Sequence, residues 1–138
     1  MQAFLDMYKT LHAGNLHMLK EVYREDICFV DPAHEIQGID RLTQYFQGLY
    51  QNVRSISFTF AEPMIAGHEA YVRWIMEFIH PRLAGGRPVT VEGVSYIKWD
   101  DAGLIFYHRD YFDLGALLYE HVPLLGQIIR NLKKGLDQ

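Results

Sequence analysis

The stretch from Val89 to Asp113, VTVEGVSYIKWDDAGLIFYHRDYFD, decides the predicted fold of this chain. Two runs rich in β-branched and aromatic residues flank the turn sequence Asp100–Gly103, which is typical of a long β-hairpin. Side chains alternate along a strand, so five residues of the second run should share one face: Leu104, Phe106, His108, Asp110 and Phe112. That face begins apolar and then becomes polar, as expected for the wall of a partly apolar cavity.

Helical spacing of apolar residues precedes the hairpin. It predicts helices over Gln2–His12, Leu16–Tyr23 and from Ile39 to about Gln51. A short strand, Ile27–Val30, comes before the third helix. Asp31-Pro32 should end that strand, because proline cannot donate a hydrogen bond to a sheet.

A period of two replaces the helical spacing from Arg54 onward. It predicts strands over Arg54–Phe60 and Ala70–His80, with a hairpin turn at Ala66–Glu69. Pro81–Pro88 reads as a loop, and the long hairpin follows it. The tail, Leu114–Leu136, has a helical pattern that is interrupted at Pro123.

Helices first and antiparallel strands afterwards predict an α+β domain. We expect a cone-shaped, curved antiparallel sheet wrapped around the N-terminal helices, with an extra C-terminal helical tail. Such a sheet can leave a cavity between itself and the helices.

Length and composition narrow the class of protein. A chain of 138 residues suggests one domain, and its net charge of −4 argues against nucleic acid as a partner. The single cysteine, Cys28, excludes an internal disulfide. No apolar run approaches the roughly 18 residues of a membrane span, and no signal-peptide pattern opens the sequence. We therefore expect a soluble, cytoplasmic protein without a membrane partner.

Three motifs carry a resemblance to a known superfamily. They are LHAGNL at 11–16, FVDPAHEIQG at 29–38 and HRDYFD at 108–113. With the element order, they resemble the nuclear transport factor 2-like superfamily, in its SnoaL-like and ketosteroid isomerase-like branch. The resemblance implies that residues 1–113 form that domain and that 114–138 are a helical extension of it. The superfamily includes isomerases, cyclases, dehydratases and non-catalytic members, so it implies a cavity rather than one reaction.

The resemblance also implies roles for two aspartates. Asp31 stands where ketosteroid isomerases have the base that moves a proton next to a carbonyl. The two oxyanion donors of those enzymes do not carry over, since their positions hold Met7 and Ser95. In SnoaL-like cyclases the proposed acid/base is an aspartate on the last strand, and Asp110 takes that place.

The residues themselves leave alternatives open. Asp110 and His108 have Cα atoms about 6.6 Å apart along one strand face, which is far for a direct bond but suitable for two groups that converge on one ligand. Alternatively they form a structural pair, satisfied by helix backbone groups or by Arg73. Asp31 is either a base or a turn cap. His34, three residues on, either gates the same cavity mouth or is an ordinary loop residue.

Further candidate ligand contacts are aromatic, apolar or hydroxyl-bearing side chains on faces predicted to turn inward. These are Tyr8, Tyr23, Phe29, Trp74, Met76, Ser95 and Phe112. Each is alternatively a core packing residue. We predict no metal site, because the histidines and aspartates above lack the close His spacing of metal motifs. No dinucleotide, phosphate-binding or serine-hydrolase motif is present, so no cofactor is expected.

Two functions remain open. The first is a cofactor-independent isomerase, cyclase or dehydratase that moves a proton next to the carbonyl of a small, mostly apolar molecule. The alternative is a non-catalytic module that binds a ligand or dimerises. Its homodimer interface would use the apolar residues of the outer sheet face: Tyr71, Ile75, Ile79, Tyr96 and Tyr107.

Overall fold

A computed structural model describes residues 1–117 and 123–136 of the chain. Its helices in the first half are α1 (Gln2–Thr10), a short α2 (Leu19–Val22) and α3 (Ile39–Asn52), and a single 3₁₀ turn, Leu16–Met18, precedes α2. The inward faces of α1 and α3 carry buried apolar residues that contribute to the core, as the helical spacing predicted.

The strands form one sheet of seven members. They are β1 (Tyr23–Val30), β2 (Glu35–Gln37), β3 (Ser55–Phe60), β4 (Met64–Ala66), β5 (Glu69–Ile79), β6 (Val89–Trp99) and β7 (Ile105–Phe112). Their order is β2-β1-β7-β6-β5-β3, with β4 paired to β5. All pairs are antiparallel except β1 with β7. The sequence pattern missed β2 and β4, because three residues are too few to establish a period.

The sheet is curved and unclosed, and the N-terminal helices pack against its inner face. Alternation places Val72, Trp74 and Phe78 of β5 inward and leaves Tyr71, Arg73, Ile75 and Glu77 exposed on the outer face. The predicted α+β cone is therefore confirmed. The long hairpin forms its centre, since β6 and β7 each pair on both sides.

The segment Leu16–Tyr23 differs from the prediction. The helical part ends at Val22, and Tyr23 is the first residue of β1, which is four residues longer than the predicted strand Ile27–Val30. Tyr23 pairs with Ile105 of β7, and its ring is fully buried. Pairing with a distant strand overrides the weak local helical pattern here.

The face predicted for the second hairpin strand is correct at one end only. His108, Asp110 and Phe112 line the inner cavity, but Leu104 precedes β7 and Phe106 lies under the Arg24 guanidinium. The β6–β7 register shifts between Lys98, which pairs with Tyr107, and Trp99, which pairs with Ile105. The residue skipped by this irregularity is Phe106, so Ile105 takes the buried position instead.

The tail is helical where the structure describes it. A single turn, α4 (Leu114–Leu117), follows β7, and α5 (Pro123–Gly135) begins at the predicted break, where proline is accepted as a first helical residue. Residues 118–122 and 137–138 of the predicted extension lie outside the described residues. Lys133 of α5 contacts Asp113 at the end of β7 at 2.5 Å. Among the described helices, none combines the length and the apolar composition that a membrane span requires.

Candidate functional site

A cavity of about 540 Å³ lies between the inner face of the sheet and helices α1 and α3. Its wall is mostly aromatic, and six of its rings come from six different elements: Phe4, Phe29, Phe46, Phe58, Trp74 and Phe112. A volume of this size and an apolar lining are typical of a small-molecule site.

Asp110 provides a carboxylate on this apolar wall. The Ser95 hydroxyl donates to its Oδ1 at 2.5 Å, and His108 Nε2 lies 2.6 Å from the same oxygen. Ser95 is held in turn by the indole N–H of Trp74, at 2.9 Å. Oδ2 of Asp110 has no hydrogen-bond partner within residues 1–117 and 123–136. One oxygen is thus fixed while the other is available to a ligand.

The contact between His108 and Asp110 corrects the expectation that they are too far apart to bond. The two residues are two positions apart in β7, but the imidazole and the carboxylate extend toward each other across that distance. The alternative partner Arg73 lies on the opposite, outer face of the sheet. The pair is therefore joined directly within the cavity wall, without Arg73.

A second hydrogen-bond chain leads from His108 into the core. Tyr23 Oη lies 2.7 Å from His108 Nδ1, and Tyr8 Oη lies 2.6 Å from Tyr23 Oη. All three side chains are buried. Loss of solvation on burial is the main effect that raises the pKa of both phenols, so both keep their protons at neutral pH.

The direction of these bonds assigns the histidine tautomer. If Tyr8 donates to Tyr23 and Tyr23 donates to Nδ1 of His108, both phenol protons of this hydrogen-bond network have an acceptor. His108 then carries its proton on Nε2 and donates it to Asp110. In the reverse direction the Tyr8 proton would have no acceptor among the described residues. The network therefore favours a neutral His108 that donates to a carboxylate.

Tyr23→Phe should destabilise the protein by about 2–4 kcal/mol, because it leaves His108 Nδ1 and the Tyr8 hydroxyl unpaired in the core. Tyr8→Phe should cost only about 1 kcal/mol, because Tyr23 can still donate to His108. Urea unfolding of the two variants measures the difference. Equal losses of unfolding free energy would contradict the assigned direction.

Asp31 forms a second polar group at the cavity wall. Its Oδ1 accepts hydrogen bonds from the backbone N–H groups of Ala33 and His34, at 2.8 and 2.7 Å. Its Oδ2 accepts one from the Tyr45 hydroxyl at 2.5 Å. The His34 ring packs edge-on against Tyr45 and its Nδ1 lies 3.4 Å from the carboxylate. Asp31 therefore caps its turn, as one of the two alternatives predicted, and it also lines the cavity.

The structure brings most of the candidate residues together. Ten of the eleven line the cavity: Tyr8, Phe29, Asp31, His34, Trp74, Met76, Ser95, His108, Asp110 and Phe112. Tyr23 lies behind His108 and is not among the lining residues, and it contacts the site through His108 and Tyr8.

Tyr45 is a polar cavity residue that sequence reasoning missed, as are Tyr50, Asn52 and His80. It lies on α3 together with Phe46, and both follow the helical spacing that turns the apolar side of α3 inward. That spacing could have placed Tyr45 at the cavity. Its bond to Asp31 could not have been found, since nothing local links residues 31 and 45.

Gly93 shapes the wall from the middle of β6. It pairs with Trp74 of β5, and a Cβ atom added at Gly93 would overlap the six-membered ring of that indole. Glycine therefore allows the Trp74 side chain to lie across β6 and reach Ser95.

In the part of the chain that the structure describes, no three histidine, cysteine or acidic side chains are grouped as a metal site requires. The polar groups of the wall instead divide into two hydrogen-bonded sets, one at Asp110 and one at Asp31. Both can act on a ligand through protons and charge.

Comparison with solved structures shows the same fold in proteins of low identity. One is described as a SnoaL-like polyketide cyclase from a Jannaschia species, with TM-score 0.73, 16% identity and coverage of 85% of this chain and 87% of the other. A nuclear transport factor 2-like protein of unknown function from Burkholderia pseudomallei gives TM-score 0.74 and 16% identity, over 86% and 93%. A protein from Agrobacterium tumefaciens described as an isomerase of the SnoaL-like family gives 0.63 and 19%, over 81% and 92%. At these identities the likeness shows the fold alone.

The comparison with curated proteins found no match. A family model does match, and it carries the description SnoaL-like domain and covers residues 4–108. This range spans α1 to the middle of β7 and includes the Asp31 turn, Ser95 and His108. The chain therefore belongs to the SnoaL-like domain family.

Proposed function

We propose that this protein is a cofactor-independent isomerase, cyclase or dehydratase that moves a proton next to the carbonyl of a small, mostly apolar molecule. The observation that carries the proposal is the half-engaged Asp110 carboxylate on an aromatic cavity wall. A base must reach the proton it takes, and Oδ2 of Asp110 has no protein partner among the described residues.

The two aspartates are suited to different roles. Three protein donors engage both oxygens of Asp31, while the two donors to Asp110 converge on one oxygen. If Asp31 took a proton from a ligand, the protonated oxygen would lose its hydrogen bonds, either those of the turn or the one from Tyr45. We therefore assign the acid/base role to Asp110.

The reaction would use the neighbouring groups to orient Asp110. Ser95 and His108 hold Oδ1, which directs Oδ2 into the cavity, and a carboxylate there can take a proton from the carbon next to a carbonyl. Return of that proton at another carbon gives isomerisation. Delivery to a departing hydroxyl gives dehydration, and attack of the carbanion on a second carbonyl gives cyclisation. Structural neighbours described as a polyketide cyclase and an isomerase support the cyclisation and isomerisation among these reactions.

Exchange of carbon-bound hydrogen with heavy water tests the proposal without knowledge of the natural substrate. α-Tetralone is an uncharged fused-ring ketone that is small enough for a cavity of 540 Å³. The protein should accelerate loss of the proton signal next to the carbonyl, followed by NMR in deuterated buffer. Exchange at the buffer rate across α-tetralone and related bicyclic ketones would contradict the proposal.

A second candidate function, a dimerisation module, is favoured by the outer face of the sheet. Tyr71 and Ile75 are 50% and 44% exposed there, and Tyr71 stacks on Tyr96 with ring centroids 4.6 Å apart. Tyr107 lies next along the same face, 6.0 Å from Tyr96. A second copy of this chain could cover this surface, and dimerisation would not interfere with the cavity on the opposite face.

If this face forms a homodimer, Ile75→Lys should convert the protein to a monomer, because it replaces an exposed apolar side chain of that surface with a charged one. Sedimentation velocity measures the change. Ile65→Lys, at an exposed position on β4, serves as the matched control and should stay dimeric. A wild-type protein that is monomeric at high concentration would rule out this use of the face.

A further inference from the structure

Asp31 and Asp110 lie beside each other in the cavity wall. Their strands β1 and β7 run parallel, with Phe29 paired to His108 and Val30 paired to Arg109. Asp31 is the first residue after β1 and Asp110 follows Arg109 in β7, so the register brings them next to each other. Backbones of neighbouring strands lie about 4.8 Å apart. Both line the same cavity, and their side chains are only 6% and 18% exposed.

The groups that hydrogen-bond to these carboxylates do not offset their charge. The imidazole of His34 lies 3.4 Å from Asp31 Oδ1 and offsets that charge only when it is protonated. Asp31 binds two backbone N–H groups and a phenol, and Asp110 binds a hydroxyl and an imidazole assigned as neutral. Burial, the hydrogen bond to Asp31 and the proximity of both aspartates raise the pKa of Tyr45, which lines the same wall. The aromatic surroundings screen them poorly.

We propose that the cavity selects uncharged aromatic ligands and rejects those bearing an anionic group, with Asp31 as a specificity-determining residue beside Asp110. This inference shares one premise with the proposed function, which is that this cavity is the ligand site. An anionic group that entered would lie against two carboxylates in a poorly screened space. An uncharged ring system meets only the apolar wall and can still present a carbonyl to Asp110.

Two fluorescent probes with one skeleton test this selection. Phenylnaphthylamine is uncharged, and anilinonaphthalenesulfonate adds a sulfonate to the same rings. At pH 8, where an ordinary histidine is mostly neutral, the wild type should bind the uncharged probe at least about tenfold more tightly. Repulsion between the sulfonate and one carboxylate a few ångströms away is enough to weaken binding about tenfold.

The decisive quantity is the change in the affinity ratio on mutation, since the sulfonate also alters solubility. Asp31→Asn should reduce the ratio about three- to tenfold, mainly by improving binding of the sulfonate. Asn keeps the oxygen that the two N–H groups of the turn require, so the variant should fold. Glu92→Gln removes the same charge from the exposed outer face of β6 and should leave the ratio unchanged.

Asp110→Asn gives the same readout if Asp31→Asn proves unstable. An unchanged ratio in the aspartate variants, or equal wild-type affinities for both probes, would overturn the selection. Binding of neither probe would overturn the cavity as a ligand site. A protein that shows the selection but exchanges no ketone hydrogen would keep this inference and lose only the proposed function.

Discussion

Asp110→Asn should slow hydrogen exchange of α-tetralone by about 100-fold or more, because the amide cannot take a proton from carbon. The unfolding free energy should change by no more than about 1 kcal/mol. The reason is geometric, since Ser95 and His108 both donate to Oδ1 and an amide oxygen can accept the same two bonds. NMR exchange rates and urea unfolding provide the two measurements.

Asp101→Asn is the matched control, since it makes the same change at a fully exposed position in the hairpin turn. It should leave both the exchange rate and the stability unaltered. A large loss of stability in Asp110→Asn with no change in exchange would mean that the carboxylate has a structural role only.

Gly93→Ala should destabilise the protein by about 2–4 kcal/mol, combining the cost of overpacking with the loss of a buried hydrogen bond. The added methyl group must displace the Trp74 ring, because Gly93 lies in the middle of a strand paired on both sides and cannot move away. The indole N–H then loses Ser95, and Ser95 loses its fixed position beside Asp110. Thermal unfolding and ketone exchange should therefore both be impaired.

The double variant Gly93→Ala with Trp74→Phe tests the cause. A phenyl ring lacks the outer edge of the indole, so the double variant should lose less stability than the sum of the two single changes. Gly48→Ala, at an open position on α3, is the control and should be neutral or slightly stabilising. Additive losses in the double variant would show that the Trp74 contact is not what Gly93 accommodates.

Much of the fold could be predicted from periodicity alone. The alternation in β5 and β6 and the helical stripe of α3 place the inner and outer faces correctly, because burial of apolar residues repeats with the period of each element. Asp100–Gly103 also forms the expected turn, where Asp100 accepts N–H bonds from Ala102 and Leu104 and Gly103 has φ of 84°.

Other features depended on contacts that no local pattern reveals. Tyr23 became a strand residue because it pairs with Ile105, 82 positions later in the chain. The register shift at Phe106 reversed the expected face of one end of β7. These are effects of tertiary pairing, which outweighs local propensity when the two disagree.

The candidate site was predictable as a set of residues but not as a network. Spacing along β7 placed Asp110 and His108 on one face, yet it could not show that their side chains meet or that Ser95 joins them. The bond between Tyr45 and Asp31 spans 14 positions, and it is one reason why we propose Asp110 rather than Asp31 as the acid/base.

A crystal structure of the protein with α-tetralone tests the central claim most directly. The account predicts electron density for the ketone inside the cavity between the sheet and helices α1 and α3, with the carbon next to the carbonyl facing Asp110 Oδ2. Density for repacked side chains in that space, or a ketone bound only on the outer surface, would contradict it.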